Sequence, residues 1–452
     1  MSQPIHLGSG EATPDLHGVR YYLETFGCQM NDYDSGGLSA LLDRHGLVSV
    51  DAPGKADVIL VNSCSIREAV EIKILGRLSQ LGDHRVRGRA RLLAVMGCMS
   101  QRMGEEVQRK VPTVDLVLGT EAYPRIPEYI RRGMNGGVRA VDRARSVSAE
   151  HPVPPAAQAG YRAMVTIMRG CDNHCTFCIV PTTRGPEVSR PAGDILREVT
   201  RLAEGGVSDV TLLGQNVNSY HWGELRFAGL LRVVADVPGV RRVRFTTSNP
   251  QDMTRDVLES VAEHPRVVEH IHLPVQAGNN RVLERMHRFY TRERYLDLVD
   301  QARALVPDLA LTTDLIVGFP GETDAEFEET LELCRRVEFD TCFAFKFSAR
   351  AATPAAELDG QVPESVKTAR LARLLELQKG ITERRSRSLV GRRVELALEK
   401  SHPRLPGTLL ARTRTNRTVA VPGAPEEIGS YAWGEITEAR GQALFGRRAE
   451  GE

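Results

Sequence analysis

The stretch Arg169-Gly170-Cys171-Asp172-Asn173-His174-Cys175-Thr176-Phe177-Cys178 puts three cysteines in a CxxxCxxC pattern directly after an apolar run, Ala163–Met168. Three thiolates on one tight loop can hold three irons of a [4Fe–4S] cube and leave the fourth iron without a protein ligand. Such an open iron can chelate a small molecule and pass it an electron. The alternative is a structural zinc with His174 as fourth ligand. Structural zinc sites pair two separate CxxC-like knuckles, and the sequence holds no second knuckle.

The loop opens a series of six βα units. Apolar runs at Ala163–Met168, Asp209–Leu213, Val240–Thr246, His270–Val275, Leu309–Phe319 and Thr341–Phe347 alternate with helical patterns at Ala192–Glu204, Leu225–Asp236, Asp252–Glu263, Asn279–Val306 (two helices) and Asp324–Val337. Eight such units close a full barrel; six predict part of one. Upstream, runs at Tyr21–Thr25, Val58–Asn62, Leu92–Met96 and Val114–Leu118 alternate with amphipathic stretches such as Ser35–His45 and Arg67–Leu81, which reads as an open parallel α/β domain. Downstream, Val394–Glu399, Gly407–Ala411, Thr418–Pro422 and Ala432–Glu438 read as short strands of a small β-barrel. The expected organisation is a multidomain α/β chain: residues 19–143, a Pro- and Ala-rich linker at 144–160, a six-unit core at 161–388 and a small barrel at 389–450.

Three further cysteines, Cys28, Cys64 and Cys98, are spaced by 36 and 34 residues, and each follows an apolar run (YLETFGC, VILVNSC, LLAVMGC). Successive strands of a parallel sheet point the same way, so residues just past their ends gather along one rim. Gly27 and Gly97 let the backbone turn closely there. The expected ligand is a second [4Fe–4S] cluster; three separate buried structural cysteines are the bland alternative. Cys334 and Cys342 have no motif around them and read as structural.

With these residues in view, the chain resembles the radical S-adenosylmethionine (SAM) superfamily. The flanking Cys178-Ile179-Val180-Pro181 and Thr183-Arg184-Gly185-Pro186-Glu187-Val188-Ser189-Arg190-Pro191 resemble its methylthiotransferase branch. That branch has an N-terminal domain with three cluster cysteines, a radical SAM partial (β/α)6 barrel and a C-terminal β-barrel called TRAM. Phe26-Gly27-Cys28-Gln29-Met30-Asn31 and Asn62-Ser63-Cys64-Ser65-Ile66-Arg67-Glu68 are closest to the members acting on isopentenylated adenosine in tRNA. One departure is the run Phe345 to Pro354, which lacks the Tyr-Ser and Arg-Pro-Gly-Thr wording common there.

The resemblance implies a reaction. One SAM donates a methyl group to a sulfur held at the Cys28/Cys64/Cys98 cluster. A second is split at the Cys171/Cys175/Cys178 cluster, and the resulting radical takes the C2 hydrogen of N6-isopentenyladenosine next to the anticodon. Alternatives are methylthiolation of threonylcarbamoyladenosine in tRNA or of a ribosomal-protein aspartate, or a non-enzymatic iron–sulfur protein that binds RNA or senses redox state. The expected partners are tRNA through its anticodon stem-loop, an electron donor such as flavodoxin or ferredoxin, and a donor of sulfur or clusters.

In such barrels the later strand ends contact SAM, which makes Gln215, Ser248 and Gln276 the candidate SAM-binding residues. No HExxH motif and no Walker loop is present. The net charge of +1 neither demands nor excludes a nucleic acid, but residues 384–417 hold ten Lys/Arg against two Glu, a local excess of +8 that suits RNA. Gly407 to Arg417 resembles the TRAM signature. No run approaches a membrane span, and Met1–Gly18 lacks the apolar core of a secretory signal, so a cytoplasmic protein without membrane contacts is expected. A monomer is the separate expectation for its assembly.

Overall fold

The computed structural model describes residues 16–135, 137–145, 158 and 160–449. Most of the expected linker, and most of Met1–Gly18, lie outside the described residues. The chain forms two compact units that interleave along the sequence. One holds residues 1–158 with Met168–His174 and Cys178–Pro191; the other holds Ala159–Ile167, Cys175–Phe177 and Ala192–Glu452.

The first unit is built on a six-stranded parallel sheet. Its order is Val48–Ser49, Arg20–Thr25, Val58–Ser63, Leu92–Gly97, Leu116–Leu118, Ala140–Asp142. Val58–Ser63 and Leu92–Gly97 are buried throughout, as central parallel strands covered by helices on both faces must be. The pleat sends Val58 and Leu60 into one core, with Leu38 and Leu42, and Ile59 and Val61 into the other, with Ile74 and Leu78. The edge strands at 48–49 and 140–142 are too short to show a sequence pattern. Residues 168–174 and 178–191 add a two-residue antiparallel pair, Met168–Arg169 with Val188–Ser189, and the helix Val180–Arg184.

In the second unit the expected six parallel strands are present. Arg162–Thr166, Asp209–Leu213 and Arg242–Phe245 form one ladder, and His270–His272, Ala310–Val317 and Thr341–Lys346 another. A parallel bridge between Val243 and Val267 links them. A 24-residue helix, Glu364–Arg387, follows the last strand. Its buried stripe runs through Arg370, Leu374, Gln378, Ile381, Thr382 and Ser386, so the inward face keeps a helical period but is largely polar. That is why apolar periodicity does not reveal it. Arg370 pairs with Glu322 at 2.7 Å, and Gln378 and Thr382 donate to the carbonyls of Phe339 and Asp340.

The C-terminal piece is a closed five-stranded barrel of Arg393–Ser401, Thr408–Thr413, Thr418–Pro422, Ala443–Arg448 and Tyr431–Arg440 in that spatial order. Leu396, Leu398, Leu409, Val419, Val421, Ile436 and Leu444 fill it. The strand Ala443–Arg448 was not anticipated; of its residues only Leu444 is buried. Cys334 and Cys342 are buried free thiols in the helix Asp324–Val337 and the strand Thr341–Lys346. Among the described residues no helix is long and apolar enough to cross a membrane.

Candidate functional site

Cys28, Cys64 and Cys98 stand just past the C-terminal ends of three neighbouring strands. Cys28 precedes the helix Gln29–Arg44, and its carbonyl accepts from the amides of Asn31 and Asp32. Cys98 opens the helix Cys98–Met103. A Cβ at Gly27 would fall 2.8 Å from Cys64 Cβ, and one at Gly97 would fall 2.5 Å from Asn62 Oδ1; both glycines hold positive φ. Only glycine lets the chain approach this closely. Buried amides brace the site. Asn31 Nδ2 donates to Asn62 Oδ1 and to the Ser63 carbonyl, each at 3.1 Å, while Asn62 Nδ2 donates to the Asn31 carbonyl at 3.0 Å.

Burial pushes the Cys64 thiol up to about 11, and the proximity of Cys28 and Cys98 adds to that rise. Burial likewise raises Cys98, with the Arg184 guanidinium opposing it. Arg184 Nε donates to Cys98 Sγ at 3.2 Å, and its Nη1 lies 2.8 Å from Asp34 Oδ2. Sequence reasoning did not single out Arg184 or Asp34, because nothing local distinguishes a buried charge from a solvated one. Among the described residues no three His, Cys, Asp or Glu side chains close on a single metal ion. A cube makes a different demand, since each thiolate binds its own iron and the sulfurs stay spread apart. Three soft donors on one glycine-lined rim fit that group.

The CxxxCxxC loop is divided between the units, with Cys171 and Cys178 in the first and Cys175 in the second. Cys171 and Cys175 are buried and Cys178 partly so. In the first unit, Asn173 Nδ2 donates to Cys171 Sγ at 3.6 Å, the Val180 amide donates to Cys178 Sγ at 3.5 Å, and the Cys171 amide donates to the Gly185 carbonyl. In the second, Arg288 Nη1 donates to Cys175 Sγ at 3.4 Å, and its Nε donates to the Tyr290 hydroxyl at 3.0 Å. The Tyr290 hydroxyl donates in turn to the Val275 carbonyl at 2.9 Å.

The three candidate SAM residues all lie in loops past strand ends of the second unit. Gln215 Oε1 and Ser248 Oγ are buried with no hydrogen-bond partner. Buried polar atoms are nearly always paired, so these two oxygens beyond adjacent strands are open to a water or a polar ligand. Gln276 adopts φ 71; its amide donates to the Asp314 carbonyl, and its own carbonyl accepts from Ile316.

The basic C-terminal segment differs from expectation. At least seven of its ten cations sit in ion pairs: Arg384 with Glu338, Arg385 and Arg417 with Asp340, Arg387 with Glu383, Arg392 with Asp308, Arg412 with Glu399 and Arg414 with Glu269. The local +8 is therefore not a free cationic face; most partners come from distant sequence that a local count cannot see. The exposed remainder is Lys400, Arg404 and Arg393, whose guanidinium stacks 5.1 Å from the Trp433 ring centre.

Comparison with known proteins adds three family matches: the Radical SAM superfamily over residues 165–334, the uncharacterized protein family UPF0004 over 20–119 and the TRAM domain over 387–448. A tRNA-2-methylthio-N(6)-dimethylallyladenosine synthase from Moorella thermoacetica is 44% identical over 439 residues, covering 94% of this chain and 98% of its own. One of the same description from Thermoanaerobacter pseudethanolicus is 41% identical over 438 residues, covering 95% and 93%. Among solved structures, the radical SAM methyltransferase TsrM from Kitasatospora setae shares the fold, with a TM-score of 0.55 at 14% identity over 75% of this chain and 77% of that one.

Proposed function

The chain belongs to the family of tRNA-2-methylthio-N(6)-dimethylallyladenosine synthases, and on that premise we propose that it adds a methylthio group to C2 of N6-isopentenyladenosine next to the anticodon. It is an enzyme of sulfur and methyl transfer with tRNA as substrate, and its cofactors are SAM and [4Fe–4S] clusters. When bound, these cofactors supply the methyl group, the sulfur and the radical that removes the C2 hydrogen.

The chain's own residues hold and orient these groups. Cys28, Cys64 and Cys98 would hold one cluster, and Cys171, Cys175 and Cys178 the other. The observation carrying the two-site reading is the gathering of the first three at neighbouring strand ends in a chain that also bears the CxxxCxxC loop. Cys64, Cys98, Cys171 and Cys175 are buried and Cys28 and Cys178 partly so, which limits the access of water to the sulfurs. Gln215 and Ser248 would turn their orphaned oxygens toward SAM. Gln276 completes the proposed set through the bend that its left-handed backbone imposes. Residues 19–143 would form the sulfur-holding domain, 161–388 the radical SAM core and 389–450 the TRAM domain. An electron donor of the flavodoxin or ferredoxin kind and a sulfur or cluster donor complete the proposed partners, and the cytoplasm is the proposed compartment.

Nucleoside mass spectrometry of tRNA from a deletion strain tests the reading. The methylthio derivative of N6-isopentenyladenosine should disappear and return on complementation, but not with either cysteine triplet changed to Ala. Loss of methylthio-threonylcarbamoyladenosine instead would assign the other tRNA substrate.

A further inference from the structure

Arg184 ends the helix Val180–Arg184, with its side chain 7% exposed. Its planar fork is used on three sides. Nε–H donates to the Cys98 sulfur at 3.2 Å, Nη1 lies 2.8 Å from Asp34 Oδ2, and Nη2–H donates to Asn31 Oδ1 at 3.4 Å. Asp34 is 1% exposed, so cation and carboxylate neutralise each other away from water. A buried guanidinium needs such compensation. With Asp34 and Asn31 holding its terminal nitrogens, the Nε edge is fixed on the sulfur. Lysine has a point charge in place of the fork and cannot serve three directions at once.

We propose that Arg184 is a positioning residue of the N-terminal cluster site: anchored by Asp34, it aims one N–H at the Cys98 sulfur, draws charge from it, and so makes the cluster easier to reduce and its sulfur less basic than the three cysteines alone would. Hydrogen bonds to cluster sulfurs and local charge are the protein's means of setting such potentials. The proposal rests on Cys98 being a cluster ligand. It also explains why a charged residue from beyond the CxxxCxxC loop is buried within the first unit beside Cys98.

The experiment is a redox titration, read by electron paramagnetic resonance, of the reconstituted full-length chain carrying Cys171→Ala, Cys175→Ala and Cys178→Ala. Only the N-terminal cluster is then observed, at about four irons per chain. Arg184→Lys keeps a cation but loses the sulfur-directed N–H; its midpoint should move to more negative potential, with changed g-values and unchanged iron. Arg184→Met should move it further the same way. Asp34→Asn leaves the guanidinium uncompensated and should move it the opposite way. An unchanged midpoint and unchanged g-values in Arg184→Lys at full iron would overturn the proposal, as would shifts of one sign in Arg184→Lys and Asp34→Asn. Should Arg184→Met fail to hold iron, the other two variants decide. Failure of the underlying reading looks different: Cys98→Ala in the same background would keep its cluster.

Discussion

Arg242, whose side chain is wholly buried, donates from Nε to Glu395 Oε1 at 2.8 Å and so joins the parallel strand Arg242–Phe245 to the barrel strand Arg393–Ser401. Its Nη1 and Nη2 reach the carbonyls of Arg412 and Glu395. Two residues on, Arg244 repeats the move, pairing with Asp209 and donating to the carbonyls of Thr413 and Arg414. Arg414 answers from the barrel side, 2.6 Å from Glu269. The small barrel is clamped to the parallel strands by arginines pointing both ways.

Removing the central clamp should be costly. Arg242→Ala strands Glu395 and two carbonyls, and breaking a buried pair from one side costs about 3–5 kcal/mol. Urea unfolding followed by circular dichroism measures this. A loss below ~1 kcal/mol would place the pair among weakly contributing surface bridges.

Each cysteine triplet should account for half of the iron. Reconstituted protein should bind about eight irons, and about four after Cys28, Cys64 and Cys98 are changed together to Ala, or after the same change at Cys171, Cys175 and Cys178. Iron and sulfide assays on the three proteins decide it; eight irons in either variant would contradict the assignment.

Ser248→Ala and Gln215→Leu should weaken SAM binding roughly tenfold each, as expected for losing about 1.4 kcal/mol of hydrogen bonding. Because both oxygens are orphaned in the fold itself, the unliganded variants should be as stable as the parent or more so. Equilibrium dialysis with SAM, paired with thermal unfolding, separates the two effects. Reduced stability with unchanged SAM affinity would make these residues structural.

The salt dependence of tRNA binding should distinguish exposed cations from those held in ion pairs. Changing Arg393, Lys400 and Arg404 together to Ala should flatten the slope of log K against log salt by about two, at ~0.7 per phosphate contact for single-stranded RNA. Arg414→Ala, which removes a cation already held by Glu269, should leave that slope in place. Filter binding across a salt series reads both, and equal slopes for parent and triple variant would move the RNA contact elsewhere.

His270 should impose an acid limb on stability. Burial lowers its pKa to about 3, helped by Arg244, His272 and Arg412 and opposed by Asp340. The unfolded chain takes up a proton near pH 6.5 that the folded chain refuses until about 3. The contribution is therefore complete above pH 6.5 and falls as pH drops toward 3. Between pH 7 and 5 this amounts to about 2 kcal/mol. Parallel urea titrations at the two pH values should show His270→Gln losing less stability than the parent by that amount; identical losses would refute it.

The features readable from sequence are those whose signal is local. Val58–Ser63 and Leu92–Gly97 are buried on both faces and read as unbroken apolar runs, and the cysteines at their ends followed directly. The helix Glu364–Arg387 escaped because its inward face is built from Arg370, Gln378, Thr382 and Ser386, satisfied by partners in other segments. The same reason hid Arg184 and Asp34, and it made the cations of residues 384–417 look free when Glu269, Asp308, Glu338 and Asp340 were waiting for them. Charge and polarity report burial only when the partner is in view, and the partner here is rarely nearby in the chain.

The interleaving of the two units also sets an order of events on the ribosome. Arg184 follows Cys98 by 86 residues, and it belongs to the same compact unit. At roughly 5–20 residues per second, the wall beside Cys98 is translated on the order of ten seconds after the cysteine itself. During that interval the first sheet can fold while its rim stays open on one side. The later arrival of Arg184 then sets its buried guanidinium beside Cys98 from within the same polypeptide.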